Sequence, residues 1–381
     1  MMKYIKAKAI LLADHKEEEA YLIVNDDGTF GQVVKAVPDQ AEVIDYSDNI
    51  LAPGLVDTHI HGFHGYDVMD KDPEGIEAIS KGLLSCGVTS WLPTTLTDTS
   101  ENLTTACQVV AQSKDQVSGA KIRGIFFEGP FFTEEHKGAQ NENYMSDPDI
   151  EKVKTWLEAS QGLLNKLALA PEREGVVDFI PQAEALGVHI SLGHSNATYD
   201  QAQAAVEAGA HLINHTYNGM SGLHHREPGL VGAALTLDNL YTELICDGFH
   251  VQPGAINVVL KARKKGDVVL ITDCMRAGGM PEGPSMLGEL PVIVKDGAAR
   301  LVNGGNLAGS ILTLAKAVEN LVAWDLVSLE EAVQMASYNP AKSVGIEDQC
   351  GQIKAGLDAD FIVLNDQGQL QATYLNGEKV Y

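Results

Sequence analysis

Eight apolar runs rich in β-branched residues, separated by stretches patterned for helices, constrain this chain more than any other feature. The runs are "GLVDTHIH", "VTSWLPTT", "IRGIFFEG", "LALAPE", "VHISLGHS", "HLINHTYN", "TELICDG" and "VVLITDC", with helical intervals such as "QAQAAVEAG" and "AINVVLKARKKG". Near-continuous apolar runs are strands buried on both faces, and helical crossovers between them make the sheet parallel. Eight such units over about 290 residues fit a closed (β/α)8 TIM-type barrel, which typically takes about 250. A doubly wound open sheet is the competing fold, but no G-x-G-x-x-G follows the first run.

The two ends have a different texture. Residues 1–51 read as short strands with an Asp-Asp-Gly turn at Gly28, and residues 345–381 repeat that pattern with a tight turn at Asn376-Gly377. Neither end alone is long enough for a stable sheet with a core. The expected organisation is therefore a small β-sandwich domain from residues 1–51 plus 345–381, with a catalytic barrel over 52–344 inserted.

Polar residues collect at one end of the runs. His59 and His61 close the first run, Glu128 the third, Glu172 the fourth, His194 the fifth and His215 the sixth; Asp247 and His250 follow the seventh, and Asp273 the eighth. In a closed barrel those positions form one rim, where (β/α)8 enzymes carry their active sites. Imidazoles and carboxylates together suit a divalent ion of the zinc, iron or manganese type. His59 and His61, two apart on a strand, face the same way and can reach one ion.

Other candidates read as structural. His189 starts its strand at the wrong end of the barrel, and His211 fills a core or supporting position. His64, His136, His224 and His225 lie in Gly-rich or charged loops, where a solvated and a functional role stay equally open, and Glu172 in "LAPERE" reads as a structural rim carboxylate. Five cysteines, odd in number and without a C-x-x-C pair, point to reduced, buried thiols, with Cys246 and Cys274 as strand fillers.

With 27 basic against 52 acidic residues, the formal charge is −25, which disfavours nucleic acid and anionic membranes as partners. An anionic small molecule then needs a compact donor set. "HTYNGMSGLHHREPG" offers one, through the Arg226 guanidinium and backbone N–H groups around Asn218 and Gly219. No apolar run reaches transmembrane length and the amino terminus lacks a signal-peptide cleavage region, so the expected location is cytoplasmic.

"VDTHIHG", later lone histidines, "LITD" and "GQIKAGLDADFIVLN" together resemble the metal-dependent amidohydrolase superfamily. "FFEGPFF", "KGAQN", "SLGHSNA", "NHTYNGMSGLHHREPG", "CDGFHV", "ITDCMRAGG" and "NLAGS" narrow the resemblance to the N-acetylglucosamine-6-phosphate deacetylases, over nearly the whole chain. The resemblance implies a primary metal site at Glu128, His194 and His215, and a general acid/base at Asp273. It implies substrate contacts from Ala139, Gln140, Asn218, Gly219, Arg226, Asp247, Gly248, Phe249, His250, Leu307, Ala308 and Gly309. The implied reaction releases acetate and glucosamine 6-phosphate from an amino-sugar phosphate. It also implies a homodimer in which His250 reaches the neighbouring subunit's phosphate site. Some relatives have His where this chain has Gln140 and lack the His59/His61 pair. That departure leaves the number of ions open, and the pair is expected to support a second, weaker site beside the essential ion. Two alternatives remain at this stage: an amidohydrolase acting on a ring amide or amidine, and a non-catalytic sugar-phosphate sensor.

Overall fold

Each of the eight runs forms a parallel strand in a computed structural model that describes residues 2–381. The strands are Leu55–Ile60, Val88–Thr95, Ile125–Phe131, Leu164–Leu169, His189–Leu192, Leu212–Ile213, Tyr241–Ile245 and Val268–Ile271. They neighbour one another in chain order. The seam between the eighth and the first is closed at the rim, where Asp273 N donates to His59 O and His61 N to Cys274 O, both at 2.9 Å. Beneath those bonds the Thr272 hydroxyl donates to Asp57 Oδ2 at 2.6 Å, and burial pushes the Asp57 carboxyl up to about 6.

Helices wrap this barrel because their apolar stripes match its outer surface. Tyr199–Ala208, for example, begins at a Thr198–Gln201 capping box and buries Ala202 and Ala205. Pro73–Leu84 starts with Pro at its first position behind an Asp72 cap and buries Ile76, Ile79 and Leu83.

The two chain ends meet in one seven-stranded sheet, ordered Glu378–Lys379, Leu370–Leu375, Phe361–Leu364, Val43–Pro53, Lys3–Leu11, Lys16–Val24 and Phe30–Val34. Its strands are hydrogen-bonded continuously, and the sandwich character comes from curling. Phe361 and Phe30 lie four strand spacings apart, about 19 Å along a flat sheet. Their ring centroids are nevertheless 6.3 Å apart. The curled sheet encloses its own core of Ile5, Leu22, Phe30, Phe361 and Val363. It is stitched to the barrel by Lys121, whose ammonium lies 2.8 Å from both Asp358 and Asp360.

A further unit is absent from the sequence reading. Between the eighth strand and the helix Leu314–Ala323, three antiparallel strands, Gly283–Leu287, Leu290–Lys295 and Ala298–Leu301, form a small meander. Its Leu287, Val292 and Val294 pack on Leu96 and Met275, which places the meander beside the mouth of the barrel.

Candidate active site

Glu128 is the centre of the rim. Its Oε1 lies 3.0 Å from His215 Nε2, 3.2 Å from His194 Nε2 and 3.3 Å from His59 Nε2, while its Oε2 lies 3.2 Å from His61 Nε2. Asp273 Oδ1 approaches from the eighth strand, 3.1 Å from His61 Nε2. Four imidazoles and two carboxylates thus converge from the first, third, fifth, sixth and eighth strands, as the end-of-run pattern predicted. His194, His215 and Asp273 have positive φ, at 44°, 22° and 50°. Such backbone is strained for residues other than glycine, and here it turns the chain at the strand ends where the functional side chains converge.

The far nitrogens of three rings are already committed. His194 Nδ1 donates to His136 O at 2.9 Å, His215 Nδ1 to Asn218 O at 3.1 Å and His59 Nδ1 to Glu243 Oε2 at 3.0 Å. With each Nδ1 holding the hydrogen, each Nε2 turns a lone pair toward the Glu128 carboxylate, a set of donors suited to a cation. Among the described residues, His59 Nε2 and His61 Nδ1 are buried without a hydrogen-bond partner. The residues therefore fit a divalent metal. Without one, the carboxylates draw protons onto the rings. Burial opposes this, yet Glu243 and Glu128 raise His59 to about 9, and hydrogen bonds to Asp273 and Glu128 raise His61 well above the ordinary imidazole value. Burial likewise opposes the ionised form of Asp273, but the hydrogen bond with His61 holds its carboxyl below the usual range.

Several supporting residues were not legible as such. Gln140 Nε2 donates to Glu128 Oε2 at 2.6 Å and its Oε1 accepts from Thr97 N at 2.8 Å, so it orients the central carboxylate. Behind His59, Glu243 pairs with the fully buried Lys166, whose ammonium also sits 3.8 Å from the Phe126 ring centroid. An acidic residue inside "TELICDG" and a lysine inside "LLNKLALA" were the available signals. Glu172 accepts from Thr133, Ser195 and Asn196, tying rim loops together as expected of a structural carboxylate. Gly219, at φ +58°, packs on His194; a Cβ there would lie 2.9 Å from His194 Nδ1.

Above the cluster is a cleft of about 580 Å³. Ala139 and Gln140 line it, as do Asn218, Gly219 and His250. Leu307, Ala308 and Gly309 form a further wall, with Leu287 of the inserted meander beside them. Asp247 accepts from the backbone N–H of Phe249 and His250 and from His250 Nδ1 at 2.6 Å, so this turn with Gly248 presents His250, while the Phe249 ring is largely exposed. Arg226 stands apart. It is exposed beside His225, in an adjoining cleft shared with His136 and Asn196. All five cysteines are free and buried, and among the described residues no helix is long and apolar enough to cross a membrane.

The comparisons with known proteins agree with this geometry. A profile of the amidohydrolase family matches residues 50–380. The N-acetylglucosamine-6-phosphate deacetylase of Vibrio furnissii is 40% identical, over 99% of this chain and 94% of the relative. The N-acetylgalactosamine-6-phosphate deacetylase of Escherichia coli O157:H7 is 37% identical, over 99% of each. A mutant N-acetyl-D-glucosamine-6-phosphate deacetylase from Mycobacterium smegmatis, solved in complex with N-acetyl-D-glucosamine-6-phosphate, superposes with a TM-score of 0.92. It is 30% identical and the match covers 100% of this chain and 99% of that one. The family is metal-dependent. With the barrel, the Glu-and-His rim and relatives of this similarity, the chain belongs to the amidohydrolase family, in its N-acetylglucosamine-6-phosphate deacetylase branch.

Proposed function

We propose that this protein hydrolyses the acetamide of N-acetylglucosamine 6-phosphate, giving acetate and glucosamine 6-phosphate. The observation that carries the reading is the placement of the Asp273 carboxylate, 3.1 Å from His61 Nε2, on the wall of a cleft whose floor is the Glu128–His194–His215 cluster. Glu128, His194 and His215 would hold the essential divalent ion, zinc or iron or a similar metal, which when bound would supply a water made nucleophilic at neutral pH and Lewis-acid polarisation of the amide carbonyl. Asp273 takes the proton of the attacking water and delivers it to the departing amine nitrogen. Without that delivery the tetrahedral adduct reverts.

His59 and His61 with Glu128 would hold a second, weaker ion. Ala139 and Gln140 on one side and Leu307 to Gly309 on the other contain the sugar. Asn218, Gly219, Arg226 and the Asp247–His250 turn serve its phosphate, within a cytoplasmic homodimer in which His250 reaches the neighbouring subunit's site. Arg226 is exposed in the adjoining cleft, which suits a phosphate held at the periphery.

Acetate release by the purified, zinc-loaded protein tests this reading. N-Acetylglucosamine 6-phosphate should be turned over with kcat/KM at least ~100-fold above that for the unphosphorylated sugar, an increment of about 2.7 kcal/mol. N-Acetylgalactosamine 6-phosphate in the same assay measures discrimination at C4. No release from any acetamido sugar phosphate, with zinc, iron or manganese, would favour the sensor or ring-amide readings.

A further inference from the structure

At the opposite end of the barrel three side chains converge that the proposed chemistry does not use. Glu184 is in the last turn of the helix Val176–Ala185, His189 opens the fifth strand and His211 precedes the sixth. The tight return through Leu186, Gly187 and Val188 brings the helix end back onto the strand starts, with Gly187 at φ +82°. His211 Nδ1 lies 3.3 Å from Glu184 Oε1, and His189 Nδ1 3.8 Å from Glu184 Oε2. The two rings meet edge to face, at 89°, with centroids 5.1 Å apart. One donor atom from each residue falls within 4.8 Å of the other two.

The cluster is anchored and incompletely satisfied. Ile190 N donates to Glu184 Oε1 at 2.9 Å, which fixes the carboxylate against the fifth strand. His189 Nδ1 is buried and, among the described residues, has no hydrogen-bond partner. The unpaired Nδ1 of His189 can offer a lone pair, while His211 Nδ1 also lies 3.3 Å from Gly209 O. Each of the three side chains is about one-quarter exposed, which leaves a path for an ion from solvent. Two imidazoles and a carboxylate are a zinc-type ligand set, and a water can complete the shell.

We propose that Glu184, His189 and His211 form a separate metal site at the amino-terminal end of the barrel, binding zinc or a zinc-like divalent ion. The ion clamps the helix Val176–Ala185 to the fifth and sixth strands. It takes no part in hydrolysis, since the ligands lie at the end of the strands remote from Glu128.

Metal content per chain, measured after equilibration with zinc and removal of free ion, tests the site in the full-length protein. The Glu184→Gln/His211→Gln variant should hold one zinc fewer per chain than the wild type, with acetate release within about twofold. The zinc-induced rise in Tm should shrink with it. Equal zinc content in the two proteins would overturn the proposal. Should the variant fold poorly, wild-type crystals measured across the zinc absorption edge decide: an anomalous peak among the three side chains supports the site, and none there, with zinc present at the rim, overturns it.

Discussion

Glu128 and Glu243 are both withdrawn from solvent inside the same barrel, yet only Glu243 has a cation of its own. Lys166 meets it directly from the fourth strand, and His59 Nδ1 and His215 N donate to its other oxygen at 3.0 and 3.2 Å. Glu128 instead faces a ring of imidazole Nε2 atoms whose hydrogens are, for three rings, engaged elsewhere. A buried charge neutralised by a covalently attached partner is a fixture of the fold, whereas one ringed by lone pairs is a seat for an exchangeable ion. The two are also coupled, because Glu243 holds His59 in the tautomer that serves Glu128.

Breaking the Glu128 side of this contrast should have the largest effect. Glu128→Gln should lower kcat/KM by more than about 10⁴-fold and strip the tightly held ion, as measured by acetate release and metal analysis. Retention of both would mean that Glu128 is another internal charge like Glu243. Next, Asp273→Asn should lose about 10²–10⁴-fold in kcat while keeping its metal, because the amide cannot carry the proton. A near-normal kcat would remove Asp273 from the proton path.

The Glu243 side should answer in stability. Glu243→Gln leaves the Lys166 ammonium buried without its partner, and the loss should be about 3–5 kcal/mol by urea unfolding at neutral pH. Glu243→Gln with Lys166→Met should recover much of that. Although burial opposes it, Lys166 and His59 lower the Glu243 carboxyl to about 2. Its contribution is therefore complete above the unfolded value near ~4.3 and fades as pH falls toward about 2, so the gap between wild type and Glu243→Gln should narrow over that window. A gap independent of pH would assign it to packing. The smallest effect is expected from His59→Asn with His61→Asn, which should reduce rim metal by one ion and leave measurable turnover. Unchanged rim metal would refute a second ion there.

Much of this architecture was legible because the barrel writes itself as apolar runs, and because His59, His61, Glu128, His194, His215 and Asp273 all fall at the ends of those runs. Lys166 and Glu243 were not, since each is a single polar residue inside a run and their pairing crosses two intervening strands. The meander was missed because "LPVIVK" alternates over only six residues between Gly288 and Gly297, too short to stand out in a long connection. His189 and His211 were each legible as structural, but Glu184 sits on a helix that no spacing rule ties to them. The curl of the terminal sheet depends on contacts such as Phe30 with Phe361, which no local pattern encodes.

The terminal sheet also imposes an order on how the chain can be completed. Val43–Pro53 pairs on one side with Lys3–Leu11 and on the other with Phe361–Leu364. The first pairing is available early, but the second strand emerges roughly 300 residues later, about 15–60 s at a synthesis rate of ~5–20 residues per second. For that interval an unfinished edge is open to other chains. Asp48, exposed on Val43–Pro53 two residues before the open Ile50–Pro53 edge, puts a like charge on any second copy that tries to pair there. The acidic surface thereby guards the nascent protein during the wait for its own last strands.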